Sequence, residues 1–139
     1  MKDIDINSGI MQDSKIVINR CPVEEAIKLI NKKWVIQLVR DMFFGKSHFN
    51  EFKEDKPNLS NKVLSNCLKD MEKNGLIKKI IDDESTNIEY KLTDKGLSLN
   101  KVIYELASFT LVNDLDNKFY DEETKEYIDN LFKTVLNID

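Results

Sequence analysis

The residues equipped to act on a partner are concentrated between Ser60 and Lys73. Asn61, Lys62, Ser65, Asn66, Lys69 and Lys73 are spaced to share one side of a helix, while Leu64, Cys67, Leu68 and Met71 share the other. The polar side offers amides, a hydroxyl and ammonium groups, with almost no carboxylate. Ammonium groups neutralise phosphates; amides and hydroxyls both donate and accept, as base edges require. Ser60, ahead of the helix, suits an N-cap, and the free N–H groups beside it favour an anion. Catalysis is not expected. There is no Ser/His/Asp set, no Gly-rich phosphate loop and no partnered pair of carboxylates. His48 has no second group to work with and reads as a helix-start or loop residue. One His and two distant Cys give no metal site, and no cofactor is implied.

Cys21 precedes Pro22, a proline suited to the first position of a helix. A thiol at that N-cap has its thiolate stabilised by the helix dipole. Arg20 would assist, and Glu24 and Glu25 would oppose. Two readings stay open for Cys21: a reactive sensor, or an ordinary capping or dimer-core residue. Cys67 falls on the apolar face of its helix and reads as core.

The elements that must position these groups follow in order. Residues 1–20 show no clear period and read as an arm, with a short strand or helix near Ile16–Ile18. Residues 22–31 form a short helix with Ala26, Ile27 and Ile30 as its apolar stripe. Trp34, Val35, Leu38, Val39, Met42 and Phe43 form a broad buried helical face, stopped by Gly45. Phe49 and Phe52 mark another short helix, and a loop through Pro57 leads to the polar-faced helix, which Gly75 closes. Two short helices joined by a tight turn, the second polar outside, form a helix-turn-helix. LIKKII is β-prone and IEYKL alternates apolar and polar, two strands around the polar loop DDESTN, which places a wing directly after the second helix. Lys78 and Lys79 point to opposite faces of the first strand.

Thr93 caps a long helix bearing Leu99, Val102, Ile103, Leu106 and Phe109. After a break at residues 113–120, Asp121 caps a last helix bearing Tyr127, Ile128, Leu131, Phe132, Val135 and Leu136. A winged helix is complete near residue 96, so these two helices carry surplus apolar surface, and a second copy of the chain is the economical cover. The alternative is that they fold back on their own domain. The expected organisation is an arm (1–20), a winged helix-turn-helix (21–96) and dimerisation helices (97–139), which is mainly α with a small β-hairpin.

The bulk numbers fit a single small domain of 139 residues with a net charge of −4. That acidity is unevenly spread. Residues 45–81 hold 8 Lys against 5 Asp/Glu, and residues 113–139 hold 3 Lys against 8. No apolar run reaches membrane-spanning length, the start lacks a secretion pattern, and the cysteines form no disulfide framework, so a cytoplasmic setting is expected.

The run of short motifs is specific when taken together. C-P-V-E opens at residue 21, K-W follows at 33, and G-x-x-H-F-N-E-F spans 45–52. L-S-x-K-V-L-S-x-x-L-K-x-M-E-x-N-G-L-I spans 59–77, and I-E-Y-x-L-T-x-x-G-x-x-L spans 88–99. This order resembles the HxlR-type family of bacterial winged-helix, MarR-like regulators over about residues 21 to 109. The resemblance implies a homodimeric DNA-binding transcription regulator on double-stranded, palindromic DNA, held together by N- and C-terminal helices. It also implies, as in some members, a response to a small electrophile or oxidant through Cys21. The chain departs from the family at His48, where a basic residue is usual, and at Asn31-Lys32, where glycines are common. It departs again at the wing tip, residues 82–87, which carries Asp82, Asp83 and Glu84 and no cation. Phosphates repel such a tip, which argues against a minor-groove contact there. Two other functions fit the residues: a winged helix used for protein–protein contact, and a DNA-binding regulator without a sensor.

Overall fold

The computed structural model describes residues 4–5, 10–12, 17–84 and 86–139. The chain divides into two compact units, residues 1–33 and 34–139. In the first unit, strands β1 (Ile4–Asp5), β2 (Ile10–Gln12) and β3 (Val17–Ile18) pair antiparallel, with Ile4 opposite Met11 and Met11 opposite Ile18. The single strand or helix expected in the arm is therefore a three-stranded sheet; Ile16 lies outside the described residues. Strands of two and three residues are too short to imprint a period on the sequence. Helix α1 (Pro22–Ile30) starts at Pro22 with Cys21 as N-cap, as the proline dictates. Its expected apolar stripe is not core: no residue of α1 is buried, and Val23 and Ile27 are exposed.

The second unit is the helix-turn-helix and wing with two further helices. Helix α2 (Val35–Phe43) buries Val35, Leu38 and Val39, while Trp34, Met42 and Phe43 are only half-buried. Gly45, at φ +100°, ends it. The Lys46 N–H donates to the Asp41 carbonyl (3.0 Å) and the Gly45 N–H to that of Met42 (3.1 Å), the paired bonds of a left-handed helix stop. Helix α3 (Phe49–Lys53) buries Phe52, and helix α4 (Asn61–Lys73) buries Leu64, Cys67, Leu68 and Met71, as their spacing requires. Gly75, at φ +76°, repeats the same closure on α4, with Leu76 N–H on Met71 O (2.9 Å) and Gly75 N–H on Glu72 O (3.0 Å).

The turn from α3 to α4 is tied to α2 by a buried ion pair. Lys56, 4% exposed, donates from Nζ to the carboxylate of Asp41, also 4% exposed. It donates further to the Phe52 carbonyl (3.1 Å) and to Asp55 (2.9 Å). The Lys56 hydrogen bond, aided by Lys46, holds the Asp55 carboxyl down at about 2.

Strands β4 (Ile77–Ile81) and β5 (Ile88–Leu92) form an antiparallel hairpin with Ile77 opposite Leu92 and Ile81 opposite Ile88. Its base is anchored twice: the Tyr90 N–H donates to Ser47 O (2.8 Å), and the Tyr90 ring meets Phe52 edge-on, centroids 6.3 Å apart. Thr93 caps the next turn, its Oγ1 accepting from the Gly96 N–H (3.1 Å). The single long helix expected here is broken into α5 (Asp94–Leu97) and α6 (Asn100–Asn113). The Ser98 hydroxyl donates to the Lys95 carbonyl (2.6 Å), which the Leu99 N–H would take in a continuous helix; that N–H turns to Gly96 O instead (3.1 Å).

Helix α7 (Glu122–Val135) runs back along α6. Asn100 Nδ2 donates to Leu136 O (2.9 Å) at one end, and Tyr104 donates to Asp129 (2.5 Å) further along. The loop between these helices is built on one carboxylate. Asp114, 7% exposed, accepts from the backbone N–H of Lys118 (2.9 Å), Phe119 (3.2 Å) and Tyr120 (3.0 Å). Burial alone would raise its pKa, but those donors and the Lys125 ammonium outweigh burial and hold it low.

Two substitutions test this architecture. Lys56→Met leaves Asp41 buried without its ammonium and should cost about 3 kcal/mol in a urea titration. The Asp55 carboxyl should then return toward the ordinary carboxylate range by NMR; an unchanged midpoint would discount the pair. Gly96 approaches the Leu76 backbone so closely that a Cβ there would lie 2.1 Å from the carbonyl oxygen. Gly96→Ala should therefore cost about 2 kcal/mol through overpacking, and wild-type stability would show that the wing base gives way freely.

Candidate nucleic-acid interface

Helix α4 begins at a cap that its own sequence supplies. Ser60 is extended, and its Oγ accepts from the Val63 N–H (3.1 Å). That bond uses a lone pair, so the hydroxyl proton remains able to donate outward. From this start Asn61, Lys62, Asn66, Lys69 and Lys73 are exposed along the helix and Ser65 is half-exposed. All six expected polar residues thus lie outside the buried row of Leu64, Cys67, Leu68 and Met71. Among the described residues, Lys62, Lys69 and Lys73 form no ion pair with a carboxylate.

Two residues near this face had no signal in the linear pattern. Val63 is exposed on the first turn although its residue type suggests core. Lys53, at the end of α3, donates from Nζ to Oδ1 of Asn61. The contact spans eight residues across the turn, and helical spacing within α3 or α4 cannot reveal it.

The wing contributes charge of both signs. Lys78 stands opposite Lys91 on one face of the hairpin, and Lys79 opposite Tyr90 on the other. All three lysines are exposed. At the tip Asp82, Asp83 and Glu84 are exposed, and Asp82 Oδ1 accepts from the Glu84 N–H (3.1 Å); Ser85 lies outside the described residues. His48 caps α3 between two carboxylates, with Nδ1 2.8 Å from Glu51 and Nε2 3.6 Å from Glu89 of β5. Glu51 also accepts the backbone N–H groups of Ser47 (3.1 Å) and His48 (2.9 Å). These backbone and histidine contacts, that of Ser47 foremost, lower its pKa. His48 is therefore a helix-start residue that also links the helix-turn-helix to the wing.

Cys21 is buried at the N-cap of α1 and makes no side-chain capping bond. Arg20 lies 3.7 Å from Glu25, which also binds Lys28 (2.5 Å), so the cation expected to assist the thiol has a carboxylate partner of its own. Cys67 is buried with its Sγ 3.9 Å from Met71 Sδ.

The residues expected to join two subunits are distributed unevenly. Val102, Leu106, Phe109 and Tyr127 are exposed, with Phe109 70% so. Leu99, Ile128, Leu131, Phe132 and Val135 are half-buried, and Ile103 is buried in its own chain. Val112, Leu115 and Phe119 extend the exposed apolar row beyond the residues expected. Helices α2, α6 and α7 enclose a largely apolar cleft of about 360 Å³, lined by Ile36, Ile103, Leu106, Leu111, Ile128 and Phe132, with Arg40 and Tyr120 at its edge.

Known proteins share this layout. The chain is 37% identical over 91 residues to the HTH-type transcriptional regulator YvaP of Bacillus subtilis (strain 168), an alignment covering 64% of this chain and 84% of YvaP. The redox regulator HypR in its reduced form superposes with a TM-score of 0.62 at 26% identity, over 71% of this chain and 95% of HypR. Quinone-bound YodB from B. subtilis superposes with a TM-score of 0.55 at 31% identity, over 65% and 96% of the two chains. The profile of the HxlR-like helix-turn-helix family matches residues 29–115, from the end of α1 through the helix-turn-helix and wing to the end of α6. On that match the chain belongs to the HxlR-like helix-turn-helix family of transcriptional regulators.

Proposed function

We propose that this regulator is a cytoplasmic homodimer that binds a palindromic site on double-stranded DNA through α4. The observation that carries the reading is the exposed face of α4: three lysines without carboxylate partners among the described residues, interleaved with amides and a hydroxyl, on the second helix of a helix-turn-helix. Lys62, Lys69 and Lys73 neutralise phosphates, and Ser60 donates to one. Asn61, Ser65 and Asn66 read base edges, and Val63 is suited to meet a thymine methyl group. The acidic wing tip stands off the backbone, so α4 carries most of the contact. Residues 21–96 bind DNA, and residues 97–139 join the subunits through the exposed row of Val102, Leu106, Phe109 and Tyr127. A partner's apolar side chains fit the cleft between α2, α6 and α7.

A second activity is supported by the likeness to a redox regulator and to a quinone-bound relative. Cys21, at a helix N-terminus, is the thiol that an oxidant or small electrophile would modify. The regulator would then lose or change its grip on DNA.

Replacing both Lys62 and Lys69 with Ala should weaken binding at every sequence and flatten the slope of log affinity against log salt by about one per lysine. Fluorescence anisotropy across a salt series measures this, and an unchanged slope would remove both residues from the phosphate contact. Cys21→Ser should bind DNA as tightly as wild type and lose any response to diamide or a quinone. A response that persists in the variant would assign sensing elsewhere.

A further inference from the structure

The contact between Lys53 and Asn61 has a consequence for base reading. Lys53 ends α3 and Asn61 opens α4, and the ammonium of the first donates to the amide oxygen of the second. An ammonium has only donors, so the amide must turn its oxygen toward Lys53 and its NH2 group away. Asn61 is exposed at the first position of α4, the end of a recognition helix that meets base edges.

An asparagine with both ends available pairs with adenine, accepting from N6 and donating to N7. Lys53 occupies one lone pair of that oxygen and holds it turned toward α3, so Asn61 presents its two N–H donors on the other side, and Lys53 adds the N–H groups that Asn61 does not use. The combined surface is all donor. The major-groove edge that complements it is guanine, whose O6 and N7 both accept.

We propose that Lys53 and Asn61 act as one reading unit that selects guanine over adenine at one position of each half-site. Lys53 is the positioning residue in that unit. The inference rests on α4 being the DNA-reading helix, and it adds the identity of a base and a residue from the preceding helix.

The test uses the full-length chain and duplexes selected from a random pool by wild-type protein. Each guanine of the selected half-site is replaced in turn by adenine, by 7-deazaguanine, which lacks the N7 acceptor, and by inosine, which keeps O6 and N7. One guanine should emerge at which adenine or 7-deazaguanine weakens wild-type binding about ten-fold while inosine has no effect. Lys53→Met should shrink that loss to about two-fold or less, because the amide is then free to turn. Asn61→Asp retains a partner for Lys53 but offers only acceptors, so it should shift the preference toward cytosine, whose N4 donates. Circular dichroism of both variants confirms the fold.

If Lys53→Met weakens all duplexes by the same factor and keeps the guanine preference, Lys53 serves a phosphate and the proposal is overturned. A wild-type preference for adenine at every α4-dependent position overturns it as well. Failure to enrich any duplex overturns the DNA-binding reading itself, an outcome distinct from enrichment without guanine dependence.

Discussion

The buried ammonium of Lys56 is the contact on which the rest of the helix-turn-helix depends. Its three N–H donors have three acceptors: the Asp41 carboxylate on α2, the Phe52 carbonyl on α3 and the Asp55 carboxylate in the turn. A buried ion pair adds little net stability against an apolar alternative of the same shape. Its effect is geometric. Phe52 and Asp55 hold Lys56 within α3 and the turn, and Asp41 alone ties it to α2, so a turn moved off α2 would leave the Asp41 carboxylate buried without Lys56. The entry of the chain into α4 is set by that condition, and Leu59, buried just before the cap, completes it with apolar packing.

From that fixed entry, local rules carry the chain forward. Ser60 opens α4 and Gly75 closes it, so the chain leaves the helix directly into β4. The hairpin returns to the same region: the Tyr90 N–H reaches Ser47, and the Thr93 hydroxyl donates to the Gly75 carbonyl. Close approach of Gly96 to Leu76 then brings α5 against the base of the wing. Helix α4 and the wing are held by one set of contacts, which makes the orientation of one depend on the other.

Much of this was legible in the sequence, and what was not has physical reasons. Helix α4 could be read because a cap, a 3.6-residue apolar row and a terminal glycine each follow from local chemistry. The hairpin could be read because a β-prone run and an alternating run flank a polar turn. The break between α5 and α6 was hidden, because Ser98 is compatible with a helix until its hydroxyl takes the Lys95 carbonyl. The strands of the first unit are too short to show a period. Asp41, Lys56 and Asp114 carry no mark in the linear pattern; only the fold brings together the partners that allow them to be buried. The polar outer face of α4 follows from its spacing, but the Lys53–Asn61 contact does not, since it reaches across the turn. The apolar stripe of α1 showed the opposite limit: spacing marks a face as apolar without saying what covers it.

The double capping of α4 also bears on the thermodynamics of recognition. Both ends of the helix are satisfied within the chain, by Ser60 on Val63 N–H and by the paired bonds around Gly75. For a duplex docking on α4 as proposed, no helix backbone would have to be ordered. In the proposed complex the remaining entropic cost would lie in the long side chains of Lys62, Lys69 and Lys73, about 0.5–1.5 kcal/mol for each one immobilised. The heat-capacity change of docking would then report buried surface alone, without the large negative contribution that a helix folding onto DNA would add.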